Sequence, residues 1–308
     1  MRLTIKTVPP FDFDLSAKIF SGGDKQIVKY ENGRYWRVIR VNNKLILVTL
    51  TSSGSVDKPK LLAELKSNET ISDKDKKIAE EIIFSLLNLK IDLKPFYEGV
   101  RNDETMFILT QRLRGLKSPT TPTVFEALID SIIEQQISLN VAHSLERNVV
   151  KAFGDALKVD DEVYYAYPTP KKFASASLQK LRQCGLSFRK TEYIRDVSKL
   201  ITDGKLDLEK LKDYENINEI IDELCEIRGI GVWTAELTMV RGMQKLEAIP
   251  ADDLGVRRWI SHYYCDDRKI SGEEARRIAE KWGKWKGLAS FYLLMAGSLG
   301  IALETNDE

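Results

Sequence analysis

Apolar positions change period along this chain. Over residues 27–56, IVKYENGRYWRVIRVNNKLILVTLTSSGSV, short β-branched and aromatic runs are separated by turn signals at Glu31-Asn32-Gly33, Asn42-Asn43 and Ser53-Gly54. That spacing predicts an antiparallel meander with Tyr35, Trp36, Val38, Leu45, Leu47 and Val48 in its core. The period lengthens in SDKDKKIAEEIIFSLLNL, where Ser72 stands as an N-cap and Ile78, Ile82, Leu86 and Leu87 form one stripe, which predicts a helix.

From about residue 121 the pattern is nearly all helical. Thr123 and Glu126 make a capping-box pair at the head of VFEALIDSIIEQQISLNVAHSLERNVVKAFG. Leu128, Ile129, Ile132, Ile133 and Ile137 give this segment an apolar face and Gly154 ends it, so a single long helix is expected. Shorter helices are predicted over 176–183, 190–202, 208–213, 217–227, 232–241 and 253–264. A capped pair follows near the C-terminus, with Ser271 and Glu274 again in capping-box spacing. No repeat of fixed period or low-complexity tract interrupts the pattern. The expected fold class is α+β: an N-terminal antiparallel sheet domain with helices over 1–112, then a mostly helical domain over 113–308, with a hairpin at 217–241.

Composition narrows the class. The 308 residues are 30% charged and 43% hydrophobic, as in a water-soluble globular protein. No run approaches the roughly 18 apolar residues of a membrane span, and MRLTIKTVPPFDFD lacks an apolar signal core. The expectation is an intracellular, cytoplasmic protein with no membrane partner. With 47 basic and 46 acidic residues the net charge is +1, so global charge gives no support for a polyanion partner. Locally, KKFASASLQKLRQCGLSFRK at 171–190 carries Lys171, Lys172, Lys180, Arg182, Arg189 and Lys190 without an acid. That run is either a solvated face or a basic patch. Cys184, Cys225 and Cys265 are isolated, which argues against zinc or iron–sulfur ligation by paired cysteines. His143 and His262 are too few for a histidine metal site, and acid–base chemistry would fall to Asp or Glu.

The most informative stretch is EIRGIGVWTAELTMV, residues 226–240. Ile217, Ile220, Ile221, Leu224 and Ile227 line one helix face, Gly229 and Gly231 interrupt it, and a new helix begins at Val232. The glycines either permit tight packing of two helices or leave the amides of 229–232 open to an anion at a helix N-terminus. Downstream, in IPADDLGVRRWISHYY, Pro250 stops one segment and Asp252 or Asp253 can cap the next. The same carboxylate could instead face charge that develops in a reaction.

These motifs resemble the helix–hairpin–helix DNA glycosylase superfamily, and most of all its 3-methyladenine DNA glycosylase II branch. LCEIRGIGVWTAEL followed by IPADDLGVRR is similar to its hairpin and catalytic loop. FEALIDSIIEQQIS, LRQCGLSFRKTEYIRDVSK and EKWGKWKGLASFYLL are similar to three further family segments in the same order, and the meander resembles the branch's leading β domain. The resemblance implies base flipping and hydrolysis of the N-glycosidic bond of an alkylated purine in base excision repair. It assigns Asp253 as the catalytic carboxylate, Trp233 and Leu237 to base binding, and Gln136, Arg189, Lys190, Gly229, Gly231, Thr234 and Arg257 to DNA binding. The partner is double-stranded DNA with a damaged base, met by a single chain. Bifunctional relatives carry a Schiff-base Lys at the position of Trp233, so a monofunctional hydrolase is implied. No cofactor is implied, other than a monovalent cation held by hairpin backbone carbonyls. Leu237 and Leu294 stand where the family commonly has aromatics, and Gln136 where some members insert an apolar wedge. The alternatives are a glycosylase for deaminated or oxidised bases and a damaged-DNA-binding module without chemistry.

Overall fold

The computed structural model describes residues 1–303. Strands β1 (Arg2–Lys6), β2 (Val28–Glu31), β3 (Arg34–Val41), β4 (Lys44–Ser52) and β5 (Lys60–Lys66) form one antiparallel sheet in the order β1-β5-β4-β3-β2. The two central turns follow from their residues. Asn32 (φ 51°) and Gly33 (φ 72°) close β2 on β3, and Asn42 (φ 53°) closes β3 on β4. Two-residue hairpin loops need left-handed backbone, which Asn and Gly accept most readily. The predicted core divides between two faces: Tyr35 and Val48 pack toward helix α2 (Asp73–Leu86), with the short α1 (Phe13–Ala17) alongside. Val38 and Leu47, with Trp36 and Leu45, face the other way.

That second face is covered by a hairpin absent from the sequence reading, β6 (Asp155–Val159) and β7 (Glu162–Ala166), whose Leu157, Val159 and Ala166 meet Val38 and Leu47. The remaining helices are α3 (Lys94–Val100), α4 (Glu104–Arg112), α5 (Val124–Glu134), α6 (Leu139–Phe153), α7 (Pro170–Ala174), α8 (Leu178–Gln183) and α9 (Phe188–Thr202). After them come α10 (Ile217–Cys225), α11 (Val232–Gly242), α12 (Leu254–Tyr264), α13 (Gly272–Ala279) and α14 (Lys286–Ser298). The 208–213 segment is a 3-10 turn at Lys210–Asp213 rather than an α-helix.

Packing draws the division of the chain earlier than residue 112. The sheet core ends at Leu89, and Leu93, Phe96 and Leu109 from the α3–α4 region join Trp282 and Tyr292 in the core of α12–α14. The expected long helix is also two helices. Gln136 takes φ +57° between α5 and α6, and Ser138 begins α6. The break has a chemical cause: the Lys190 ammonium donates to the carbonyls of Ile133 (2.8 Å) and Gln135 (2.7 Å) at the end of α5. A cation on the last carbonyls of a helix satisfies acceptors left open there and opposes the negative end of its dipole.

Candidate active site

The hairpin of α10 and α11 gives its two glycines different work. Gly229 has φ +89°, and a Cβ there would sit 2.4 Å from the Tyr193 ring, so only glycine fits. Gly231, the N-cap of α11, is extended (φ −109°) and has no atom within 4 Å of the Cβ it lacks. Its missing side chain leaves open space beside the amides that begin α11. Gln135, at the end of α5, fixes the hairpin from below: its Nε2 donates to Gly229 O (2.9 Å) and Thr234 Oγ1 (3.0 Å).

Of the two candidate caps, Asp253 and not Asp252 is the N-cap of α12. One oxygen, Oδ1, accepts from the amides of Gly255 (2.8 Å) and Val256 (3.1 Å). Its own amide closes a turn onto Pro250 O (2.9 Å), and its carbonyl receives Arg257 N (2.9 Å). Backbone on both sides and half the carboxylate are thereby fixed, while Oδ2 accepts no hydrogen bond among the described residues. Asp252 is exposed, and its Oδ1 lies against Gly272 at the start of α13.

Trp233, Leu237, Asp253 and Gln136 line one open cleft of about 1560 Å³, together with Gly229, Gly231, Thr234 and Leu294. Gln136 is exposed. The cleft is richer in aromatics than the sequence suggested, because Phe291 of α14 and Trp259 of α12 also line it. Part of its wall is acidic. There Glu126 pairs with Arg37 (2.7 Å) and Glu134 with Arg241 (2.5 Å), while Asp130 accepts from the Tyr167 hydroxyl (2.6 Å). Burial works against the charge on Arg241, but Glu134, with smaller contributions from Asp130 and Asp253, holds its pKa above the usual value.

Two predicted DNA contacts, Lys190 and Thr234, need correction. Lys190 is buried, with its ammonium on the two α5 carbonyls and its pKa lowered by that burial, so it is not free for a phosphate. The Thr234 hydroxyl is buried and engaged by Gln135. Arg257 is half-buried outside the cleft lining, its Nε without a partner among the described residues. Arg189 is exposed on the first turn of α9, near the likewise exposed Arg182 and Lys180, though none of the three lines the cleft. Sequence reasoning missed Gln135 as the strut, and missed Leu139 and Leu254, which are 57% and 74% exposed on the cleft beside Gln136 and Asp253. A leucine outside any apolar stripe, next to a candidate site residue, was the available signal.

Among the described residues no three His, Cys, Asp or Glu side chains are grouped to hold a metal ion. The carbonyls of Leu224, Ile227 and Gly229 each accept one hydrogen bond, from Ile227 N, Ile230 N and Gln135 Nε2, and each keeps a second lone pair. No described helix is long and apolar enough to cross a membrane.

Residues 129–284, just over half the chain, match the family model described as the HhH-GPD superfamily base excision DNA repair protein. The chain is 29% identical over 287 residues to a DNA-3-methyladenine glycosylase of Bacillus subtilis (strain 168), covering 92% of this chain and 94% of that one. Among solved structures, a 3-methyladenine DNA-glycosylase from Archaeoglobus fulgidus superposes with TM-score 0.85 at 28% identity, over 96% of this chain and 98% of that chain. A Clostridium acetobutylicum 8-oxoguanine glycosylase/lyase in complex with double-stranded DNA superposes with TM-score 0.76 at 22% identity, over 98% and 99% of the two chains, and shares the fold.

Proposed function

This chain belongs to the HhH-GPD superfamily of base excision DNA repair proteins, and from that premise we propose a monofunctional DNA glycosylase for alkylated purines. It hydrolyses the N-glycosidic bond of a flipped-out base of the 3-methyladenine type and leaves an abasic site. One observation carries the reading: the Asp253 carboxylate, anchored through Oδ1 and unengaged at Oδ2, shares a cleft with the Trp233 indole. The names of the Bacillus and Archaeoglobus relatives support the choice of alkylated purines.

The chemistry follows from charge. Departure of the base leaves positive charge on the sugar, and a fixed carboxylate stabilises it without reorganising. The same carboxylate can orient or deprotonate the attacking water. An alkylated purine with a formal positive charge is already a good leaving group, so no general acid is required. Trp233 gives that cation a π face, an attraction of roughly 0.5–2 kcal/mol. An indole has no amine for a Schiff base, so the strand is not cut. Open amides at Gly231 and the exposed Arg189 would hold phosphates, contacts that carry no sequence information and suit a search for damage.

The test is a panel of single-lesion duplexes carrying 3-methyladenine, 7-methylguanine, hypoxanthine, uracil or 8-oxoguanine. Release of the alkylated purines, with strands intact until alkali is added, is the expected result. Asp253→Asn keeps an N-cap of equal quality, so the fold should hold while release slows by roughly a hundredfold or more. Wild type that releases neither alkylated base, or Asp253→Asn that releases them at the wild-type rate, overturns the proposal.

A further inference from the structure

The acidic wall of the cleft is an unexpected feature in a protein that approaches a polyanion. Two of its four carboxylates are neutralised, Glu126 by Arg37 and Glu134 by Arg241. The other two are not. Asp130, on α5, has one hydrogen bond, from the Tyr167 hydroxyl. Glu146, on α6, is half-buried and lines the cleft, with neither a hydrogen bond nor an ion pair among the described residues. Spacing puts it there: Leu139, His143, Glu146 and Arg147 recur at helical intervals and present one face of α6 to the cleft. Two neighbouring carboxylates repel each other, and neither belongs to the sheet or to the α10–α11 hairpin.

A phosphate is repelled by such a wall. The edge of a base is not, if it carries N–H donors or positive charge. We infer that Asp130 and Glu146 form a specificity-determining subsite that receives the cationic edge of the flipped purine, while Trp233 takes its face. This rests on the proposed function and names the selecting groups within it. The electrostatics of the empty cleft agree. Burial, then the neighbouring carboxylates, raises both groups, Glu146 to about 7 against the pull of Arg37 and Arg241, and Asp130 well above the usual carboxylate range. In the empty cleft both shifts favour the uncharged form, which lessens the repulsion of DNA. A cationic base that arrives there can displace the proton and meet a carboxylate, whereas a neutral base gains less.

The experiment compares wild type with Glu146→Gln, Asp130→Asn and the double variant. Single-turnover release is measured on 7-methylguanine and on neutral hypoxanthine. Kd for a duplex holding a tetrahydrofuran abasic analogue serves as the base-free control. In the double variant the rate on 7-methylguanine, relative to hypoxanthine, is expected to fall roughly tenfold, as for a lost hydrogen bond to a charged group. Kd for the abasic duplex should stay within about twofold. The single Glu146→Gln variant leaves the Tyr167–Asp130 bond in place and reports even if the double variant folds poorly. An unchanged ratio, or an abasic Kd that moves as far as the rate, overturns the inference while the proposed function stands. Wild type that releases no alkylated base overturns both.

Discussion

Alanine at Gly229 and at Gly231, two residues apart, should fail in opposite ways. At Gly229 an L-residue must hold φ +89°, a strain of about 1–2 kcal/mol. Its Cβ would also lie 2.4 Å from ring carbons of Tyr193, which is itself covered by the Arg228 guanidinium at 5.5 Å. Overpacking of that kind costs about 1–3 kcal/mol. The sum, roughly 2–5 kcal/mol, is a large part of a typical folding free energy of 5–15 kcal/mol. It should lower Tm by roughly 3–8 °C. At Gly231 the backbone is open to alanine and the new methyl meets nothing, so stability should change by less than about 1 kcal/mol, as for a glycine N-cap replaced by alanine. The methyl would instead occupy the space beside the amides that begin α11. Loss of an anion contact at a helix N-terminus, worth up to about 2 kcal/mol, corresponds to binding weaker by up to roughly thirtyfold. Thermal melts and fluorescence anisotropy on undamaged duplex at fixed salt separate the two effects. Wild-type DNA affinity in Gly231→Ala would refute the phosphate site, and a wild-type melt in Gly229→Ala would refute the packing account of that glycine.

Other expectations follow from the same contacts. Arg189→Ala should reduce the slope of log K against log salt by about 0.9, as for one lost phosphate contact. Lys190→Met should leave the slope unchanged and instead cost about 1–3 kcal/mol in urea denaturation, because two helix-end carbonyls lose their donor. A wild-type slope in Arg189→Ala, or a reduced one in Lys190→Met, would reverse those assignments. The pH dependence of folding should carry the mark of Glu146, raised from 4.5 to about 7 in the folded state by burial and by Glu126 and Glu134. The folded state then binds this proton more tightly than the unfolded one, so stability is highest below about 4.5, falls as pH rises toward 7, and is flat above. Denaturation of Glu146→Gln across that window should show a shallower decline, and an identical decline would mean that the fold does not raise this carboxyl.

Element identity was legible wherever one periodicity persisted. Asn32-Gly33 and Asn42-Asn43 marked their turns because few other residues accept left-handed backbone, and Ser72 and Thr123 both act as N-caps with side-chain hydrogen bonds to Asp75 and Glu126. The failures share a cause. Residues 124–154 read as one helix because the break is imposed from outside by Lys190, 54 residues beyond the Gln136 it displaces from the helix. The β6–β7 hairpin was lost in a helical stretch because its reason for being a strand pair is the exposed apolar back of the sheet, Val38 and Leu47, more than 100 residues earlier. α3 and α4 join the α12–α14 core for a similar reason, since Phe96 finds its partners in Trp285 and Tyr292. Local pattern carries no record of such distant contacts.

At the site, the sequence posed choices that the fold does not force. Asp253 could be a helix cap or a reactive carboxylate, and its two oxygens allow both. Oδ1 is held by Gly255 and Val256, and that anchorage is what leaves Oδ2 fixed in direction and unpartnered. The glycines could serve packing or access, and their surroundings differ accordingly: Gly229 lies under Tyr193, Gly231 in open space. Gln135 then ties these parts together, since its amide nitrogen grips the hairpin while its carbonyl is held by Lys190, and the next residue is Gln136 at the cleft. A catalytic position that is also a cap is cheap to keep rigid, because the helix supplies the constraint. This is why Asn at 253 is the informative substitution: it keeps the cap and removes only the charge.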